Sequence, residues 1–124
     1  MTGEKRKYDL EPRLIKFSVL IISITEKVFK TKAGSHLAGQ LVRSGTAPAL
    51  NYGEAQSAES RADFIHKIKI ILKELRESRI TLLMIKDIPL IDNIELVDQG
   101  LIENNELISI FRKSSETAAK NLSK

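Results

Sequence analysis

The chain has 124 residues and a formal net charge of +4, a length that suits one compact domain with its own core. It contains no cysteine, which excludes disulfides, thiolate metal sites and a cysteine nucleophile. No apolar run approaches the roughly 20 residues that span a bilayer, and residues 1–13 lack the apolar core of a signal peptide. We therefore expect a cytoplasmic protein.

The charges are unevenly distributed along the chain. Residues 1–43 carry nine Lys and Arg against four Asp and Glu, whereas residues 92–106 carry five acidic residues and no Lys or Arg. A basic surface beside an acidic connector permits nucleic-acid binding but does not by itself demonstrate it.

Residues 1–10 are polar and charged, and we expect them to form a flexible basic tail outside a single domain of residues 11–124. Pro12 suits the first turn of a helix, where its missing N–H needs no partner. The helical spacing of apolar residues predicts a core face of Leu14, Phe17, Ile21, Ile24 and Val28. A second apolar stripe, which indicates a second partner for this helix, consists of Ile15, Val19, Ile22 and Phe29.

A second helix should begin near His36, after Gly34 and the N-cap candidate Ser35. Its core stripe consists of Leu37, Leu41, Ser44, Pro48, Tyr52 and Ala55. The adjacent strip is mostly small and consists of Ala38, Val42, Gly45, Ala49 and Gly53. Because small residues at this spacing let two backbones approach closely, we expect one helix kinked near Ser44 by Pro48, and not a loop.

Ser57 or Ser60 can cap a third helix that ends before Pro89, since the residue before a proline is biased away from helical geometry. Its apolar face consists of Phe64, Ile65, Ile68, Ile71, Leu72, Leu75, Leu82 and Leu83. A fourth helix should run from about Asp98 to Asn121, with Leu101, Ile108, Phe111, Ala118 and Leu122 inward. Four helices with short links predict an all-α, up-and-down four-helix bundle.

Some apolar residues fall outside the predicted core faces, which is typical of a surface that meets a partner. On the third helix these are Ile70, Ile80 and Met84. We expect a surface for self-association that includes Ile15, Val19, Ile22, Ile70 and Met84.

The sequence contains no recognisable site for catalysis or metal binding. Asp63 and His66 have the spacing of metal-binding bundles, but the helical period directs both away from the core, where such metals are held. No serine lies in a Gly-x-Ser-x-Gly turn, and Gly45 and Gly53 are too far apart for a phosphate-binding loop. We therefore expect no catalytic residue, no metal and no cofactor, and a protein that is not an enzyme.

A basic stripe on the third helix is the candidate for nucleic-acid binding. It consists of His66, Lys69, Lys73 and Arg76, and a second basic patch consists of Lys5, Arg6 and Lys7. The alternative is an ordinary solvated helix face, because Glu59 and Glu77 share its arc. Repetition of the stripe in an oligomer would let it bind a polyanion in a salt-dependent way.

The block from Arg43 to Arg76 carries a recognisable pattern. The stretch AGQLVRSGTAPALNYGEAQSAESRADFIHKIKIILKELRES, with YDLEPRLIKFSVLI before it, closely resembles the bacterial four-helix-bundle family whose founding members are encoded within intervening sequences of 23S ribosomal RNA genes. The likeness covers residues 8–86 and continues more loosely through the fourth helix. Its hallmark positions here are Arg43, Ser44, Asn51, Gly53, Glu54, Phe64 and Glu74. We assign these residues and Gly45 to helix packing or subunit contact.

The resemblance implies a ring-like homopentamer without catalytic residues. At the level of fold, the family is distantly similar to the accessory protein of diversity-generating retroelements, which binds nucleic acid and a reverse transcriptase. We expect a non-enzymatic oligomer that binds RNA or DNA through basic surfaces. The alternative is a protein-binding adaptor, for example an accessory subunit of a reverse transcriptase or a ribonucleoprotein, that does not bind nucleic acid directly.

Overall fold

The computed structural model describes the backbone of residues 2–123 and the side chains of residues 10–121. Helix α1 spans Thr2–Lys27, α2 spans Lys32–Gln56, α3 spans Arg61–Asp87 and α4 spans Ile94–Ser123. Each helix packs side by side with two others in the cyclic order α1, α2, α3, α4, and among the described residues no Cα atoms of diagonally placed helices come within 8 Å of each other. The predicted all-α four-helix fold is confirmed, with no strand in residues 2–123.

Helix α1 begins at Thr2, ten residues before the start that the sequence predicts at Pro12. Residues 2–10 are therefore part of a helix where a tail is expected. Pro12 lies inside the helix, where it removes one backbone hydrogen bond without ending the helix. The side chains of Lys5, Arg6 and Lys7 lie outside the described part of the chain.

The core receives side chains from all four helices. The predicted face of α1 is confirmed, because each of its five residues is at most 5% exposed. Leu41 of α2, Ile68 of α3 and Phe111 of α4 are fully buried in the same cluster. The rings of Tyr52 and Phe111 meet edge to face, with centroids 5.8 Å apart.

Helix α2 continues through Pro48, as predicted, but it begins four residues before His36. Its N-cap is Thr31 and not Ser35, because the Thr31 hydroxyl accepts a hydrogen bond from the Gly34 N–H at 3.0 Å. Gly34 lies inside the first turn of α2, where a Cβ would collide with the Phe29 carbonyl.

Helix α3 is capped by Ser60, whose hydroxyl accepts from the Asp63 N–H at 3.1 Å. Helix α4 begins at Ile94, earlier than predicted, because the Asn93 side chain accepts from the Leu96 N–H. The core stripe of α4 is also offset from the prediction, and its buried residues are Val97, Gly100, Asn104, Leu107, Phe111 and Ala118. The predicted Leu101 and Ile108 are half-buried, and the side chain of Leu122 lies outside the described residues.

Polar contacts fasten the ends and sides of the bundle. The Phe29 N–H donates to the Leu90 carbonyl at 2.8 Å, which joins the α1–α2 link to the α3–α4 link. Between α1 and α4, the Arg13 guanidinium donates to both carboxylate oxygens of Glu103, at 2.7 and 2.9 Å. This bidentate pair raises the pKa of Arg13 because it favours the charged guanidinium.

Candidate nucleic-acid interface

The basic stripe predicted on α3 lies on the surface. His66, Lys69, Lys73 and Arg76 are all exposed, and none of them forms an ion pair with another described side chain. Spacings of three and four residues place them on one side of the helix. The stripe thus presents cationic groups that are free to contact an anion.

Glu77 shares this arc of α3, but its carboxylate turns towards α2. Its Oε1 accepts from Arg43 Nη2 at 3.4 Å, and its Oε2 is buried. The Arg43 guanidinium therefore partly offsets the negative charge that the sequence places in the stripe. The other acidic residue of the arc, Glu59, is exposed just before α3 begins.

Helix α3 is held in place by a polar cluster at its contact with α2. Glu74 is only 7% exposed, and its Oε1 accepts from Arg43 Nη1 at 3.0 Å. Burial raises the pKa of Glu74, the neighbouring Glu77 carboxylate raises it further, and Arg43 acts in the opposite direction. The Arg43 guanidinium thus donates hydrogen bonds to two carboxylates, those of Glu74 and Glu77.

Two more polar contacts join α2 to α3. The Ser78 hydroxyl donates to the Ser44 hydroxyl at 2.8 Å, with both side chains buried. Lys67 donates to Glu54 at 2.9 Å near the other end of the interface. Four of the hallmark positions therefore lie at one helix contact: Arg43, Ser44, Glu54 and Glu74.

The remaining hallmark positions have other surroundings. The Asn51 side chain donates to the Ala47 carbonyl of its own helix at 3.0 Å, and among the described side chains it makes no hydrogen bond to another helix. Phe64 is half-buried and packs against the core cluster. Gly45 faces Ile21 of α1, whereas a Cβ on Gly53 would meet nothing within 4 Å. A subunit contact at these positions stays a prediction.

A groove runs between α2 and α3, next to the basic stripe. This α2–α3 groove has a volume of about 580 Å³ and includes the apolar side chains of Leu37, Ile80 and Met84. Lys73 and Arg76 also line it, so they belong to both the groove and the stripe. Next to these two cations on α3, Ile80 is 50% and Met84 41% exposed.

A second apolar area lies on the other side of α2. We call it the α1–α2 apolar face, and it consists of Ile15, Val19, Ile22 and Val42, all exposed. The α1 residues of this face and Met84 are exposed, and their predicted role in self-association stays a prediction. Ile70 is an exception, because it is half-buried and offers less area to a partner.

The described residues provide no evident site for a metal. No group of three or more His, Cys, Asp and Glu side chains in this part of the chain is arranged to hold an ion. His36 is exposed on α2, where it lines the α2–α3 groove. None of the helices, as far as they are described, is long and apolar enough to cross a membrane.

Comparisons with known proteins agree with this architecture. A crystal structure of a protein with unknown function from the S23 ribosomal protein family of Bacteroides thetaiotaomicron VPI-5482 superimposes with a TM-score of 0.77. It is 27% identical, and the match covers 85% of this chain and 96% of that chain. A search of curated proteins finds no match. The model of the 23S rRNA-intervening sequence protein family matches residues 7–119, and the chain belongs to that family.

Proposed function

We propose that the protein is a non-enzymatic cytoplasmic homo-oligomer, a pentamer by family resemblance, that binds RNA or DNA through the basic stripe of α3. The observation that carries this proposal is the stripe itself, whose four basic side chains are exposed and free of ion pairs with described side chains. Helix α3 is held to α2 by the Arg43–Glu74 and Ser44–Ser78 hydrogen bonds, so the backbone that carries the stripe is fixed.

A single stripe is too short for tight binding. From Lys69 to Arg76 it covers roughly 10 Å at 1.5 Å per residue, so one copy contacts only a few phosphates. Several copies held in one assembly act together, because the second contact is made at a high effective concentration. The proposed oligomer therefore explains how a modest net charge of +4 can produce useful affinity for a polyanion.

Self-association is supported by the α1–α2 apolar face. Ile15, Val19 and Ile22 are between 43% and 59% exposed and follow one another at helical spacing. A contiguous row of large apolar side chains in water is unfavourable, at roughly 25 cal/mol per Å² of exposed apolar surface. A second copy that covers this row would remove that surface from water.

Charge reversal tests the nucleic-acid proposal. We expect the triple variant Lys69→Glu, Lys73→Glu and Arg76→Glu to bind a fluorescent RNA or DNA oligonucleotide about a hundredfold more weakly at low salt. The matched control is Arg112→Glu, Lys113→Glu and Lys120→Glu, which makes the same charge change at exposed positions of α4. Equal losses in both variants would show that only net charge matters and would contradict the role of the stripe.

A second variant tests nucleic-acid binding without altering the α2–α3 groove. His66 and Lys69 do not line the α2–α3 groove, so His66→Glu with Lys69→Glu leaves the groove intact. We expect this double variant to weaken RNA binding while its molar mass in light scattering stays equal to that of the wild type. Unchanged affinity in this variant would remove the N-terminal half of the stripe from the proposal.

A protein-binding adaptor is the second candidate function. It is favoured by the apolar floor of the α2–α3 groove, where Ile80 and Met84 are exposed as in a docking site for another protein. An adaptor would not bind the oligonucleotide at any salt concentration. The double variant His66→Glu with Lys69→Glu, which leaves the groove intact, would then leave its association with a reverse transcriptase or a ribonucleoprotein unchanged.

A further inference from the structure

The surface carries two apolar areas that no described part of the chain covers. One is the α1–α2 apolar face, and the other is the α2–α3 groove with Ile80 and Met84 exposed. The backbones of α1 and α3 do not approach each other closely within the described residues, and both helices pack against α2. The two areas are therefore separate surfaces on either side of α2.

A hydrogen bond from Ser18 to α2 shows where the α1–α2 apolar face lies. The Ser18 hydroxyl donates to the Gly45 carbonyl at 3.3 Å, so this side of α1 is turned towards α2. Ile15 and Ile22 are three residues before and four residues after Ser18 and lie on the same side of α1. Together with Val19 they form the α1 part of the α1–α2 apolar face, which we call the ridge. The α2–α3 groove opens on the opposite side of α2.

The charges around the two surfaces are complementary. Glu11 is four residues before Ile15 and Glu26 is four residues after Ile22, so the two carboxylates stand at the ends of the ridge. Both are exposed and have no ion pair with a described side chain. The groove is lined by the exposed and unpaired cations Lys73 and Arg76. The basic end of the apolar groove can thus receive one acidic end of the apolar ridge.

We propose that the groove of one subunit receives the α1–α2 apolar face of the next copy of this chain. The inference rests on the proposed oligomer and goes further, because it names the two surfaces that meet. The contact is heterologous, since one subunit contributes its α2–α3 groove and the next subunit contributes its α1–α2 apolar face. Adjacent faces of a four-helix bundle are roughly perpendicular, so successive contacts of this kind turn and can close into a small ring.

The pairing leaves part of the basic stripe outside the contact. His66 and Lys69 do not line the groove and stay on the surface of the assembly. Lys73 and Arg76 lie at the boundary, where they face both the ridge of the neighbour and the solvent. The N-terminal half of the α3 stripe is thereby available to a nucleic acid, and the C-terminal half holds the neighbour.

Cysteine crosslinking tests the pairing, because the natural chain contains no cysteine. Val19→Cys places a thiol on the ridge, and Met84→Cys places one in the groove. The two full-length variants carry affinity tags of different size, and they are mixed, allowed to exchange subunits and oxidised. We expect a disulfide-linked dimer that contains one chain of each kind, with little dimer when either variant is oxidised alone. Ile102→Cys is the control for Met84→Cys, because Ile102 is 63% exposed on α4, away from the groove.

The results distinguish the ridge-in-groove pairing from oligomer formation in general. A mass above 13.9 kDa in light scattering, together with the mixed dimer, supports both. An oligomer that crosslinks through Val19→Cys alone, or not at all, overturns the ridge-in-groove pairing and leaves the oligomer standing. The pairing is also overturned if RNA protects Met84→Cys from alkylation and no mixed dimer forms. A monomer at every concentration overturns both proposals.

Discussion

Gly45 of α2 lies so close to Ile21 of α1 that a Cβ built on the glycine would stand 2.5 Å from Cγ2 of the isoleucine. It would also stand 3.0 Å from the Ile21 Cβ, an atom that cannot move without the helix backbone. Ile21 is fully buried and β-branched, so it has no free rotamer to adopt. The contact between α1 and α2 therefore depends on the missing side chain at position 45.

Gly45→Ala should lower the free energy of unfolding, because the added methyl overpacks the α1–α2 contact. We expect a loss of about 1–3 kcal/mol in urea unfolding. The matched control is Gly53→Ala on the same helix, where the methyl meets nothing within 4 Å. That variant should gain up to about 1 kcal/mol, since alanine favours a helix over glycine. Equal effects of the two changes would contradict the close approach at Gly45.

The buried bond between Ser44 and Ser78 predicts a non-additive double-mutant cycle. Each single change to alanine leaves one buried hydroxyl without its partner, at a cost of about 1–2 kcal/mol in unfolding free energy. The double variant removes both hydroxyls, so its loss should be smaller than the sum of the single losses. Strict additivity, measured by urea unfolding, would show that the two hydroxyls do not interact.

The raised pKa of Glu74 predicts that its effect on stability depends on pH. The folded state binds this proton more tightly than the unfolded chain does, whose ordinary pKa is 4.5. The contribution of Glu74 to stability is therefore largest below pH 4.5 and falls as the pH rises through the raised pKa. Relative to Glu74→Gln, the wild type should become more stable as the pH is lowered from 7 towards 4.5. A difference that does not change with pH, or that changes in the opposite direction, would contradict the raised pKa.

Asn104 of α4 is fully buried, and neither its amide nitrogen nor its amide oxygen finds a hydrogen-bond partner among the described residues. Asn104→Leu keeps a similar shape and removes the two polar atoms from the core. We expect a gain of about 1–3 kcal/mol in unfolding free energy. Asn104→Asp is the control and should destabilise strongly, because it places a charge at the same position. A leucine variant that is less stable than the wild type would be evidence that the amide is satisfied in solution.

The sequence predicts the bundle well because periodic apolar residues dictate helices and their inward faces. The α1 core face from Leu14 to Val28 follows directly from this periodicity, and all of it is buried. The small strip of α2 likewise predicts a close approach of helices, which occurs at Gly45 but not at Gly53. Which small residue meets a neighbour depends on the position of another helix, and a local pattern does not contain that information.

The start of α2 and the core stripe of α4 differ from the sequence prediction because of single residues. Thr31 and Ser35 can both serve as N-cap residues, and the Thr31 hydroxyl accepts from the Gly34 N–H in a space beside the Phe29 carbonyl that has no room for a Cβ at position 34. On α4, the polar Asn104 occupies a core position and interrupts the apolar periodicity of the buried face. The sequence therefore predicts Leu101 and Ile108 as inward-facing residues instead.

The α2–α3 groove does not follow from the sequence alone. It is built from residues on two helices, such as Leu37 and Ile80, that are far apart in the chain. The sequence identifies the exposed residues of α3, but only the tertiary contact with α2 turns them into a concave surface.

The central claim is that several copies of the α3 stripe bind one nucleic acid together, and the salt dependence of the affinity tests it most directly. The stripe contributes three Lys and Arg side chains per subunit. Their release of counterions gives a slope of about −2.7 for log K against log salt if one subunit binds duplex DNA alone. We predict a steeper slope for the wild-type protein if it forms the proposed oligomer, measured by fluorescence anisotropy. A slope no steeper than about −2.7, or no binding at low salt, would contradict joint binding by several copies.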